Sequence, residues 1–181
     1  MRALVVFESM FGNTEKIAVA IGEGLARTLP VDIVEVGTAP PAIGTETVLL
    51  VVGGPTHAFG MSRPQTRQDA ERQAGGEVVS RSGIREWLDT VTCSAPVPAV
   101  AFDTRVRQRW IPGSAARAAR RRLRDKGFTM AGPPRTFRVE GTPGPLIEGE
   151  ISRARDWGAE LAGLVAESAH PATDPPERSA V

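Results

Sequence analysis

The stretch Phe7-Glu8-Ser9-Met10-Phe11-Gly12-Asn13-Thr14-Glu15-Lys16 joins two kinds of pattern. Before it, Ala3, Leu4, Val5, Val6 and Phe7 form a short continuous apolar run, which suits a strand buried on both faces. After it, Ile17, Ile21 and Leu25 recur at helical spacing, with Ala18 and Ala20 on the same flank. A polar turn between a buried strand and a helix leaves backbone N–H groups unpaired at the positive end of the helix dipole. Ser9, Met10, Phe11, Gly12, Asn13 and Thr14 are therefore candidates to hold a phosphate. Lys16 falls inside the helix, so amides and hydroxyls rather than a cation are expected to do the holding. The plainer alternative is that Asn13 or Thr14 caps the helix and Gly12 permits a tight turn. Neither the dinucleotide fingerprint nor the Walker lysine pattern is present.

Working outward, Val31 to Val36 alternates apolar and polar and predicts a strand with one wetter face, near an edge. Ala39-Pro40-Pro41-Ala42 allows only a short crossover with at most a helical turn. Val48 to Val52, the most apolar run, predicts a central strand stopped by Gly53-Gly54-Pro55. Ser62 to Gly83 is polar and predicts a long mobile loop with a helical piece around Gln68 to Gln73, followed by an amphipathic turn at Ile84, Trp87 and Leu88. Val97 to Phe102 predicts another buried strand ended by Asp103-Thr104. Ala115, Ala119 and Leu123 form the apolar side of a helix from Pro112 to Lys126, with Pro112 in its first turn. Phe128 to Val139 predicts a strand broken at Gly132-Pro133-Pro134, and a last helix follows from Ile147. Alternating strands and helices imply a parallel α/β sheet covered on both sides. Residues 1–169 are expected to form one domain, and 170–181, rich in Pro, Thr, Asp and Glu, a disordered tail.

Two loops carry the functional signal. The first is the Ser9–Thr14 turn; the second is Gly53-Gly54-Pro55-Thr56-His57-Ala58-Phe59-Gly60-Met61. Together they resemble the flavodoxin family. The resemblance implies a flavodoxin-like three-layer sandwich with a five-stranded parallel sheet of order 2-1-3-4-5, and FMN in the crevice at the ends of strands one and three. It implies that the first loop holds the FMN phosphate. It also implies that Pro55, Thr56, His57, Ala58, Phe59 and Gly60 lie along the ring, with His57 or Phe59 as the stacking surface. Gly60 would then reorient its peptide toward the flavin N5. Asp103 and Thr104 are candidates for the pyrimidine edge, and Trp110 for the outer ring face. The chain departs from the family in having Phe11 where a second threonine usually stands, and in containing no tyrosine.

The single cysteine, Cys93, excludes an internal disulfide or a cysteine-built metal site, and the two histidines argue against a His-rich one. Net charge is +1, so no global field steers the chain to nucleic acid or membrane. With no charged-then-apolar leader and no apolar run long enough to span a bilayer, the expected location is the cytoplasm. The arginines between Arg105 and Lys126 read either as the solvated face of a helix or as a docking patch for an acidic protein or for nicotinamide phosphates. No aromatic platform for nucleic acid accompanies them. The resemblance implies an electron-transfer flavoprotein working between a reductase and an acceptor. The alternatives are an NAD(P)H-dependent quinone oxidoreductase, distinguished by rapid flavin bleaching with NADPH alone, and a flavin-free binding module, distinguished by failure to quench FMN fluorescence.

Overall fold

The apolar run after Met1 forms β1 (Arg2–Phe7) in the middle of a parallel sheet; the computed structural model describes residues 1–57, 60–73, 80–107 and 112–169. On one side β1 pairs with the half-exposed edge strand β2 (Val31–Glu35), and on the other with β4 (Thr47–Pro55). β6 (Pro98–Val106) lies beyond β4. The fifth position is shared: β7 (Thr129–Met130) pairs with the start of β6 and β8 (Arg135–Val139) with its end. The interruption falls at Gly132-Pro133-Pro134, where two consecutive prolines cannot donate to the ladder. The sequence-expected order of five positions is thus met with six strands. A separate short parallel pair, β3 (Ala42–Ile43) with β5 (Thr92–Cys93), has no apolar run to announce it.

Successive residues along each strand face opposite sides, and each side builds its own core. Ala3, Val5, Leu49, Val51, Val100 and Phe102 pack against α1 (Asn13–Leu25) and α5 (Glu150–Ala169). Leu4, Val6, Leu50, Val52, Ala99 and Ala101 pack against α3 (Ile84–Thr90) and α4 (Ala115–Asp125). Each fully buried branched side chain contributes roughly 1.5–3 kcal/mol, which is why the strands read as continuous apolar runs rather than alternating ones. Trp157 of α5 belongs to the core: its ring centroid lies 6.0 Å from that of Phe137 and 6.5 Å from that of Phe102.

Four expectations are corrected. β4 does not stop at Gly53-Gly54 but runs through them, with Gly53 opposite Phe102 in the register. A Cβ on Gly53 would sit 2.0 Å from Phe102 Cζ, so this glycine is a gap for an aromatic ring rather than punctuation. β6 likewise continues through Asp103 and Thr104, paired on both sides, to Val106, paired with β8 alone. α4 starts at Ala115 after the cap Ser114, leaving Pro112 outside the helix. Finally, the supposed loop after Met61 carries α2 (Pro64–Gln73), and Ser62, Arg67, Ala70 and Ser80 are all buried. The tail at 170–181 and the Gly75-Gly76 pair lie outside the described residues.

Candidate functional site

β1 and β4 are neighbours running the same way, so the turns that leave them open side by side at one edge of the sheet. The first turn enters α1 through Gly12, at φ 79°, a left-handed conformation that costs glycine little. No side chain caps this helix start. Among the described residues, the backbone N–H groups of Met10 to Glu15 have no hydrogen-bond acceptor; Lys16 is the first to bond back, to the Gly12 carbonyl. From behind, Ser9 is clamped by Ser80 in both directions: Ser9 N–H donates to Ser80 Oγ at 2.9 Å, and Ser80 N–H to the Ser9 carbonyl at 2.8 Å. Asn13 Nδ2 donates to the Gly144 carbonyl at 2.6 Å, tying the turn to the segment before α5. Thr14 Oγ1 lies 2.7 Å from Thr104 Oγ1, joining α1 to β6.

The second turn is closed on itself. His57 N–H donates to the Gly60 carbonyl and Gly60 N–H to the His57 carbonyl, each at 2.9 Å. Its stem rests on Asp103, which is fully buried. Asp103 Oδ2 accepts from Thr56 Oγ1 at 2.8 Å, Ser114 Oγ at 2.6 Å and the Ala116 N–H at 3.1 Å. Thr56 Oγ1 and Ser114 Oγ in turn accept the N–H groups of Ala115 and Arg117. One buried carboxyl therefore organises both the start of α4 and the turn after β4, where the helix dipole favours negative charge.

Between the turns lies a cleft lined by Ser9, Phe11, Thr14, Thr56, His57 and Arg105, with Val139 and Thr142 closing its far side. The space within it is about 40 Å³, room for a few waters. Seven buried side-chain polar atoms lack a hydrogen-bond partner among the described residues, and three of them belong to this lining: Ser9 Oγ, His57 Nε2 and Arg105 Nε. Leaving such a group unpaired costs roughly 1–3 kcal/mol, and orphans gathered in one place ask for a ligand that pairs them. Burial also pushes the His57 imidazole below its usual pKa, favouring the neutral ring. Arg105 is the one permanently charged side chain in the described lining, a cation beside the amides and hydroxyls on which the sequence reading relied.

A second polar cluster lies behind the first turn. Glu8 is 1% exposed, and its Oε2 accepts the Ile84 N–H at 2.8 Å while Oε1 has no partner among the described residues. Burial raises its pKa, against the opposing pull of the Ser62 hydroxyl, the Ile84 amide and the Arg67 charge. Arg67 donates to Ser62 Oγ at 2.8 Å and pairs with Glu86 at 3.2 Å. Arg85 holds the carbonyls of Met61 and Ser62 at 2.8 and 3.0 Å.

The structure thus brings Ser9, Met10, Phe11, Asn13, Thr14, Pro55, Thr56, His57 and Thr104 to one cleft. Gly12 stands at the helix start and Gly60 closes the second turn. Asp103 lies outside the cleft lining: its Oδ2 supports the two elements beneath the cleft, while its Oδ1 has no partner among the described residues. Ala58, Phe59 and Trp110 lie outside the described residues. Sequence reading missed Arg105, Ser80, Ser114 and Glu8. Ser114 carried a signal, a hydroxyl just before a helical stripe, and so did Glu8, a charge directly after an apolar run.

No family model matches the chain, and no curated protein does. Solved structures do. A flavodoxin from the domain Archaea is 18% identical at a TM-score of 0.60, with 92% of this chain and 99% of that one covered. Oxidised flavodoxin 1 from Bacillus cereus is 15% identical at 0.65, with 90% and 98% covered. A flavodiiron core from Synechocystis is 17% identical at 0.59; the match takes in 93% of this chain and 36% of that one. At these identities the likeness shows the fold, which is flavodoxin-like.

Proposed function

We propose that the chain binds FMN across the two turns and carries electrons between protein partners in the cytoplasm. The observation that carries this reading is the convergence of unpaired groups on one cleft: Ser9 Oγ, His57 Nε2, Arg105 Nε and the N–H row opening α1. They fit an anionic end and a flat polar body. The fold supports the reading, since in open α/β sheets ligands sit outside the carboxyl ends of strands where the order reverses. Here that place is the gap between β1 and β4.

In this arrangement the N–H groups of Met10 to Glu15 and the Ser9 hydroxyl hold the phosphate, and Arg105 adds positive charge beside it. Phe11 and the neutral His57 ring offer flat surfaces to the ring system. Thr14 and Thr104 lock the floor between them. Turning the Gly60–Met61 peptide breaks the bond that the Gly60 carbonyl accepts from the His57 N–H, so the second turn resists the change by the worth of that bond. Bound FMN supplies one- and two-electron chemistry; the residues named here bind, orient and exclude water. No membrane-crossing helix is present among the described residues.

The test is an absorption and fluorescence titration of purified protein with FMN. Saturable quenching near one equivalent, tighter for FMN than for riboflavin, is expected. No quenching by FMN overturns the reading.

A further inference from the structure

The charged residues are divided between the two sides of the sheet. α4 carries five arginines and one aspartate; with α2 and α3, that side has eight bases against five acids. α1 and α5 on the other side have six acids against three bases. A near-neutral chain is therefore polarised across its thickness. On α4, Arg117, Arg121 and Arg124 follow i, i+4, i+7 and are all exposed, so they form one stripe. Among the described residues Arg117 and Arg121 form no ion pair, and the 3.8 Å contact of Arg124 with Asp125 joins two largely exposed side chains, worth little in water.

This stripe begins at the candidate site. The Ala115 N–H is bonded to Thr56 Oγ1, so α4 starts on the turn that would lie along the ligand and runs away from it for about 16 Å at 1.5 Å per residue. Beside its other end stand Arg85, which grips the Met61 and Ser62 carbonyls, and Arg122, which bonds the Arg85 carbonyl and Asp89. The charges of Arg122 and Arg63 lower the Arg85 pKa further after burial, the mark of guanidinium groups crowded together.

We propose that the α4 stripe, with the neighbouring Arg63, Arg85 and Arg122, docks an acidic electron-transfer protein beside the mouth of the cleft. This rests on the FMN reading above. A partner with carboxylates around its redox centre meets opposite charge over this face and like charge over α1 and α5, so the polarised field both attracts it and turns it the right way round. On docking, one electron leaves the partner's reduced centre and enters the bound flavin, and no atoms are exchanged.

The probe is a photoreduced plant-type [2Fe–2S] ferredoxin, an acidic carrier, mixed by stopped flow with the FMN-loaded full chain. The second-order rate is expected to fall at least tenfold between 20 and 300 mM salt, in line with typical steering effects of about 10–10³. It is expected to fall by a similar factor in Arg117→Glu/Arg121→Glu and by less in Arg117→Gln/Arg121→Gln, while Arg27→Glu, on the far side of the sheet, does not lower it. A rate indifferent to salt and to both double variants overturns the proposal. So does tighter, stripe-dependent binding to phosphatidylserine vesicles or duplex DNA than to the ferredoxin. Titrating the ferredoxin onto chain without FMN separates the two readings. Salt-sensitive docking by a chain that refuses FMN keeps the surface and removes the carrier; FMN-loaded chain with no such docking removes the surface alone.

Discussion

Thr56 Oγ1 donates to Asp103 Oδ2 across 2.8 Å and accepts the Ala115 N–H at 2.9 Å, so one hydroxyl fastens the turn after β4 to the first turn of α4. Removing the carboxyl would leave two hydroxyls and one amide without their buried acceptor. Asp103→Ala is expected to cost roughly 3 kcal/mol in urea denaturation, and Asp103→Asn, which keeps an acceptor but loses the charge at a helix start, about 1 kcal/mol. Equal costs for the two would mean that the network does not hold the turn.

Thr14 lies under the first turn, against Thr104. Thr14→Ala should weaken FMN about tenfold, the worth of one hydrogen bond, and riboflavin less, because riboflavin has no phosphate for that turn to hold. Isothermal titration with both ligands reads this directly, and identical losses contradict the phosphate assignment.

Arg105 places a cation at the cleft with Nε lacking a partner among the described residues. Arg105→Gln should raise the Kd for FMN by roughly 10- to 100-fold, a charge-assisted bond being worth roughly 1.5–3 kcal/mol, and should reduce the dependence of that Kd on salt. An unchanged affinity would show that this side chain serves only the sheet edge.

Glu8 titrates above its ordinary value because it is buried. The folded chain then holds this proton more tightly than the unfolded one. The stability is greatest below about pH 4.5 for this group and declines as pH rises through the raised folded pKa. Glu8→Gln cannot ionise, so its melting temperature relative to the unaltered chain should climb between pH 4 and pH 7. Parallel curves across that range would count against a buried, reluctant acid.

His57 has the opposite sign. Burial lowers its pKa, so the unfolded chain takes up the proton first. Stability from this group is complete above about pH 6.5 and is lost as pH falls toward the folded value. In the FMN-free chain, His57→Gln should flatten the decline in melting temperature between pH 7 and pH 5. A decline as steep as before would place the responsible group elsewhere.

The strands of the sheet were legible because strands buried on both faces must be apolar throughout, and Val48 to Val52 can be little else; their order rested on the family resemblance. Boundaries were less legible where small or polar residues do structural work. Gly53 reads as a stop until Phe102 is placed against it, and Asp103 reads as a loop residue until Ser114 and Ala116 arrive from the next helix. Both depend on partners far along the chain, which local pattern cannot see. The two turns that line the cleft were legible as turns, since their residue types follow from the backbone they require. Arg105 was not, because only the pairing of β6 with its neighbours decides that it reaches the cleft. α2 was seen only in part, because its stripe is interrupted by the buried Arg67, a residue that looks solvated until its bonds to Ser62 and Glu86 are known.

Trp157, Phe137 and Phe102 each pack against the other two, and the Phe102 ring lies on Gly53, two residues before the turn that would hold the ligand. The three rings make one packed wedge between α5 and the strand that leads into that turn. Loosening on one side is therefore expected to be felt on the other: trimming or unzipping α5 should disturb the turn after β4, and filling the cleft should quiet a helix on the opposite wall.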